Sequence, residues 1–225
     1  IAQFVTPKTS KLRMIKTFSL LFLFSLTIVA QVRIDKTATT IVTRFTPPMG
    51  FERNAAGPTS FASYLRQLPL KPWNSKVLYF DGRFKNTPDV YISVVDLGIG
   101  KKALHQCADA VMRLRAEYLY VNRRFEDIHF NFLSDGKPRF FTSFARGKTD
   151  HQTFVRYMES VFVSANTRSL YNELKPVEKI SSMKAGDVFI QKGSPYGHAE
   201  IVMDMALNPV TGKKIYLLAQ SYMPA

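Results

Sequence analysis

The sequence predicts an α+β domain in which one long helix packs on an antiparallel sheet. Two observations carry this. Leu104, Ala108, Val111, Leu114 and Tyr118 recur at spacings of three and four, the stripe of an amphipathic helix. Near the C-terminal end, β-rich runs alternate with Gly, Pro and Asn turns, ending in a strand–turn–strand pattern over 198–220.

The helix is supported locally, since no Gly or Pro and only the single β-branched Val111 interrupt residues 105–119. Cys107, the only cysteine, lies near its N-terminal end. Unpaired backbone N–H groups and the positive end of the helix dipole favour a thiolate there. Lys101 and Lys102 act in the same direction. No Ser, Thr, Asp or Asn stands at the cap position, and a start at Gly100 would place Cys107 in the second turn. The competing reading is a small buried hydrophobe.

Composition sets the outer bounds. A chain of 225 residues suffices for one domain with a sizeable core, and 46% apolar with 13% aromatic residues excludes a disordered protein. The formal net charge is +14, of which residues 1–30 contribute four cations and no acid. A basic surface suits anionic partners such as cell-wall polymers, lipid headgroups or nucleic acid. The cations are scattered in runs no longer than two and accompany no nucleic-acid-binding motif, so nucleic acid is not expected as a partner. No Gly-rich phosphate loop and no metal-spaced His/Cys cluster is visible, so neither cofactor nor metal is expected.

In chain order, Met14-Ile15-Lys16 followed by the apolar run 18–30 reads as a secretory signal peptide cleaved between Ala30 and Gln31. The run is too short to span a bilayer comfortably, which leaves an uncleaved anchor as the alternative. The mature protein is therefore expected outside the cytoplasm, in the periplasm or beyond, meeting the membrane only transiently through its leader. Residues 1–30 are set apart as upstream residues plus leader. Residues 31–60, Thr-rich and then studded with Pro47, Pro48, Gly50, Gly57 and Pro58, read as an N-terminal arm wrapping a single domain of residues 61–225. Within it, Ser60 to Leu68 suggests a short helix, and 77–80 and 90–95 suggest strands. Ile128, Phe130 and Phe132 alternate with His129 and Asn131, as in a half-buried strand, and Phe140 to Phe144 reads as its partner. Thr149-x-x-Gln152 reads as a capping box for a helix facing in through Phe154, Tyr157, Val161 and Phe162. A shorter helix, about Arg168 to Leu174, is capped by Thr167.

The last third holds the chemistry. Gly186-Asp187 turns into a strand from Val188 to Ile190, and the loop Gly193–Gly197 leads into a strand that begins with His198. Asn208 to Gly212 turns the chain into a return strand ending near Gln220. Cys107 on a helix, His198 on a strand and a polar residue on the next strand follow the chain order of papain-like cysteine hydrolases. Such chemistry needs an imidazole to take the thiol proton and a third polar group to hold the ring. In a 199–206/213–220 hairpin Gln220 falls beside His198, so Gln220 is the orienting residue, with Ser221 and Asp204 as alternates. Asp204 shares the face of His198 but stands roughly 20 Å further along the strand. His105, His129 and His151 read as structural, and Asp187 as a turn former.

Gly186-Asp187-Val188-Phe189-Ile190 with Gly197-His198-Ala199-Glu200-Ile201-Val202 resembles the signature of NlpC-like cell-wall endopeptidases and CHAP amidases. Gln106-Cys107-Ala108-Asp109-Ala110-Val111 is similar to their nucleophile helix. This resemblance implies a papain-like (NlpC-like) fold and thiol hydrolysis of an amide, with peptidoglycan stem peptides as substrate. It gives Cys107 as nucleophile, His198 as base and acid, Gln220 as orienting residue, and the Cys107 N–H with Gln106 around the oxyanion. Over nearly the whole mature chain, Leu68–Pro72, Gln106–Leu119, Gly197–Ala199 and Leu218–Ala225 resemble the uncharacterised bacterial family catalogued as domain of unknown function 4846. Similar chains continue past Met223-Pro224-Ala225, which implies a C-terminal part of the domain beyond this sequence. Two rivals stand beside the hydrolase: a non-catalytic domain binding envelope glycan or peptide, and a thiol acyltransferase or lipid acyl hydrolase.

Overall fold

The structure, a computed structural model, describes residues 2–5, 31–87, 90–194 and 196–221; of residues 2–5 only the backbone is described. The leader run and the final Tyr222–Ala225 lie outside these residues.

The fold is α+β with antiparallel sheets and six helices among the described residues. Its centre is a hairpin of two long strands. The strand from His198 to Leu207 turns through Asn208–Gly212 into the strand from Lys214 to Ala219, and Val202 pairs with Leu218. The turn closes through the Asn208 side chain, which accepts from the N–H groups of Val210 and Thr211. Val188–Gln191 pairs with the first half of the His198 strand and Glu52–Arg53 with its end, while Ala2–Val5 pairs with the outer edge of Lys214–Ala219. In chain order these become β1 (Ala2–Val5), β4 (Glu52–Arg53), β7 (Val188–Gln191), β8 (His198–Leu207) and β9 (Lys214–Ala219) of the main sheet. Two small ribbons complete the strands, β2 (Arg33–Ile34) with β3 (Phe45–Thr46) and β5 (His129–Asn131) with β6 (Pro138–Phe140).

The helices are α1 (Ile41–Arg44), α2 (Phe61–Arg66), α3 (Cys107–Val121), α4 (Phe141–Ala145), α5 (His151–Ser164) and α6 (Thr167–Glu173). Among the described residues they cover one face of the main sheet. Ala199, Ile201, Met203, Leu217 and Ala219 point into the large core with Ala108, Val111, Leu114 and Tyr118 of α3. The other face carries Val202, Met205, Tyr216 and Leu218, a small separate cluster closed by Met183. Strand alternation dictates this split. An irregularity in the β8–β9 register between Val202 and Asp204 shifts the phase, so that Asp204, opposite Leu217, joins the helix-covered side. There its carboxylate takes Arg53 at 2.5 Å and Arg66 at 2.7 Å, binding β4 and α2 to β8.

Several expectations are corrected. Residues 77–80 and 90–95 form no strands and make only the isolated bridges Leu78–Phe84 and Leu70–Val95. Their β propensity finds no continuous partner, and propensity without one does not make a sheet. The expected strand 140–144 is β6 up to Phe140 and then α4, ended by Arg146 and Gly147 at φ of 47° and 85°. Left-handed residues end a helix by turning its backbone away. The cap of α5 is Asp150, whose side chain accepts from the Thr153 N–H, and that of α6 is Asn166, leaving Thr167 as the first helical residue. Both caps lie one residue from those expected. The β7 strand is half-buried rather than buried. Residues 31–60 do more than wrap the domain, because Ile41 and Phe45 enter the large core. The buried Arg44 guanidinium also donates to Ala38 O and Lys71 O at 2.9 Å and to Ser93 Oγ at 2.6 Å.

Candidate functional site

The site begins with the start of α3. Its N-cap is Gln106, whose N–H donates to Asp109 Oδ2 at 2.9 Å, so Cys107 is the first helical residue. A side-chain acceptor three residues on satisfies the cap N–H, which is why the helix starts here without Ser or Thr at the cap. Cys107 is buried, yet it lines a groove of about 510 Å³ together with Gln106, Asp109, Thr167, Arg168 and Gly197. The sulfur stands 3.9 Å from Thr167 Oγ1. The opposite wall comes from Lys192, Gly193, Tyr196 and Gly197. A Cβ on Gly197 would lie 2.8 Å from Thr167 Cγ2 and 2.6 Å from Gln191 O, so only glycine lets this wall close against α6.

His198 follows Gly197 directly and opens β8. Its Nε2 donates to Gln220 Oε1 at 2.5 Å, with Glu200 Oε1 at 3.5 Å from the same nitrogen. That bond leaves the proton on Nε2 and makes Nδ1 the basic nitrogen. The hairpin explains the Gln220 contact, because one residue beyond β9 lies beside the start of β8. The His198 ring shares the face of Glu200 and Val202, away from α3, and it makes no hydrogen bond to the Cys107 sulfur. The structure therefore brings His198 and Gln220 together, sets Gln106 and Cys107 together in the groove, and leaves one glycine between the two pairs.

The alternates are otherwise engaged. Asp204 is locked between Arg53 and Arg66, and Ser221 Oγ donates to His105 O at 2.8 Å. Asp187 accepts from the Lys184 N–H at 2.8 Å and serves its turn. His129 stands 3.3 Å from Glu173, and His151 opens α5.

Two groove residues escaped sequence reading. Thr167, read as a cap, carries a hydroxyl 3.9 Å from the sulfur. Asp109, two positions after Cys107, is buried, and burial pushes its carboxyl up to about 7 against the lowering effect of the Gln106 N–H. The spacing Gln106-x-x-Asp109 was the available signal, a capping pattern with an acid at its third position. Among the described residues no group of His, Cys, Asp and Glu could hold a metal ion, and no helix is long and apolar enough to cross a membrane.

The sequence matches the family described as domain of unknown function 4846 over residues 41–150 and 141–225. The chain belongs to this family. For this member of it, no curated protein and no solved structure matches.

Proposed function

We propose that this domain is an exported thiol hydrolase of papain-like type, cleaving an amide bond in the peptide stems of peptidoglycan. The observation carrying the reading is the groove, where a helix-borne thiol faces the glycine that precedes a strand-borne imidazole. In the proposed reaction Cys107 Sγ attacks the scissile carbonyl and His198 Nδ1 takes the thiol proton. That proton then goes to the leaving amine as the C–N bond breaks, and water hydrolyses the remaining thioester. The Cys107 N–H, with the Gln106 side chain, faces the developing oxyanion. Gln220 holds the ring through Nε2. Transfer from sulfur requires the His198 ring to turn past Gly197 toward the groove. Arg168 and Lys192 on the groove wall suit a substrate bearing free carboxylates, as stem peptides do.

A second reading is favoured by the present direction of the His198 ring, on the face away from α3. In that reading the groove binds an envelope peptide or glycan without cleaving it. Incubating purified peptidoglycan with the protein and with Cys107→Ser and His198→Ala separates the two. Hydrolysis predicts new amino termini, lost in both variants. Sedimentation with the polymer without new termini, unchanged in Cys107→Ser, would establish binding alone.

A further inference from the structure

A second cavity, of about 340 Å³, lies on the helix-covered side of the sheet, between α3, β8 and the stretches 71–85 and 94–99. It is separate from the Cys107 groove, sharing no lining residue with it. Its volume falls in the range of small-molecule sites, roughly 300–1,000 Å³. Its inner wall is apolar, made by Val111 and Leu114 of α3 with Ile201 and Ala219 of the sheet. Two polar features stand out against that wall. His105 lines the cavity, is buried, and has no hydrogen-bond partner for either ring nitrogen. Burial, with Arg113 nearby, holds it down to about 4, so the ring is neutral at pH 7 and offers one donor and one acceptor. Leaving both nitrogens of a buried imidazole unmatched is unfavourable until something bonds to them. The second feature is charge. Among the described residues, Lys71 and Lys76 contribute to the lining beside one acid, Asp96.

We infer that this cavity binds a free single-chain anionic amphiphile, an aliphatic chain with a carboxylate head and a hydroxyl or amide that meets the His105 imidazole. The apolar wall takes the chain, and the lysines give the carboxylate its counter-charge. An apolar residue at 105 would serve the packing against Phe162 as well, and that contact is an edge-on ring contact at 5.7 Å. The inference is independent of the thiol chemistry, since Cys107 lies outside the cavity.

The test uses the full chain, with dodecanoate, 12-hydroxydodecanoate and dodecylammonium titrated by calorimetry. The expected result is saturable one-to-one binding of both carboxylates, with dodecylammonium at least tenfold weaker. Ala110→Trp, at a half-buried lining position, blocks the cavity and removes binding. Should that variant misfold by circular dichroism, Lys76→Glu on the exposed rim serves instead and weakens carboxylate binding at least threefold. His105→Leu keeps dodecanoate binding and abolishes any preference for the hydroxylated chain. Cys107→Ser changes nothing. The absence of saturable binding, equal binding of the cationic chain, or binding unchanged by Ala110→Trp or Lys76→Glu in folded protein would overturn the inference.

Discussion

The two faces of the main sheet are built from the same strands and differ in almost everything else. On the helix-covered face, Ala199, Ile201, Met203, Leu217 and Ala219 join a core that reaches α2, α3 and α5. On the other face, His198 is hydrogen-bonded to Gln220 with Glu200 close to the same nitrogen, and a small cluster with Tyr216 and Leu218 stands beside them. Apolar packing therefore dominates the first face, while the polar contacts of His198 lie on the second. The thiol lies at the margin between them, where α3 begins. A catalytic reading requires chemistry to cross that margin at Gly197, which lines the groove and precedes His198.

The largest effect expected on this contrast comes from Asp204, the one charged side chain of the strand pair on the covered face. Asp204→Ala leaves Arg53 and Arg66 without their shared partner and should lower the unfolding free energy by about 3–5 kcal/mol in urea titration. A loss below about 1 kcal/mol would mean that the covered face does not depend on this bridge. Next, Ile201→Ala opens a cavity in the large core and should cost about 2–5 kcal/mol. Leu218→Ala, on the other face, should cost at least about 1 kcal/mol less, because its cluster is smaller and nearer solvent. Equal losses would erase the distinction between the faces.

A third effect lies at the margin and depends on pH. The Asp109 carboxyl sits near 7 in the fold against an ordinary 3.8, so the folded state holds a proton that the unfolded chain has lost. Its contribution is fully present below about pH 4 and is lost as pH rises through about 7, with a slope of at most about 1.4 kcal/mol per pH unit. Asp109→Asn keeps an acceptor for the Gln106 N–H and should gain stability relative to the parent between pH 4 and 7. His105 works the other way, since its protonation is resisted in the fold and stability falls as pH drops from about 6.5 to about 4. The comparison of parent with Asp109→Asn cancels that contribution. A difference that stays constant with pH would show that Asp109 is ionised throughout. The smallest effect is expected from Gln220→Ala, whose bond to a half-exposed ring is worth about 0.5–1.5 kcal/mol, so its consequence should be read in activity rather than stability.

Much of this was legible in the sequence, for physical reasons that can be named. The α3 stripe and the hairpin around Asn208–Gly212 are local patterns, and both stand where the pattern put them, with α3 starting at the residue that its own cap defines. Gln220 beside His198 followed from hairpin register alone. Helix α4 was hidden because Phe141, Thr142 and Phe144 favour strands, while the decision rests with Arg146 and Gly147 beyond them. The facing of His198 was hidden for a different reason. Ala199, Ile201 and Val202 are all apolar and buried, so alternation could not say which face the helices cover. Only tertiary packing decides that, and it turned the imidazole away from α3.

The central claim is that Cys107 and His198 act on one another across Gly197. It is tested most directly by the rate at which iodoacetamide alkylates Cys107 in the native protein, followed by intact mass in the parent and in His198→Ala. The expected result is a single adduct formed without denaturant, at least about tenfold more slowly once the imidazole is removed. A sulfur that stays unmodified until the protein is unfolded, or a rate that is the same in both proteins, would contradict the claim and leave the groove a binding site.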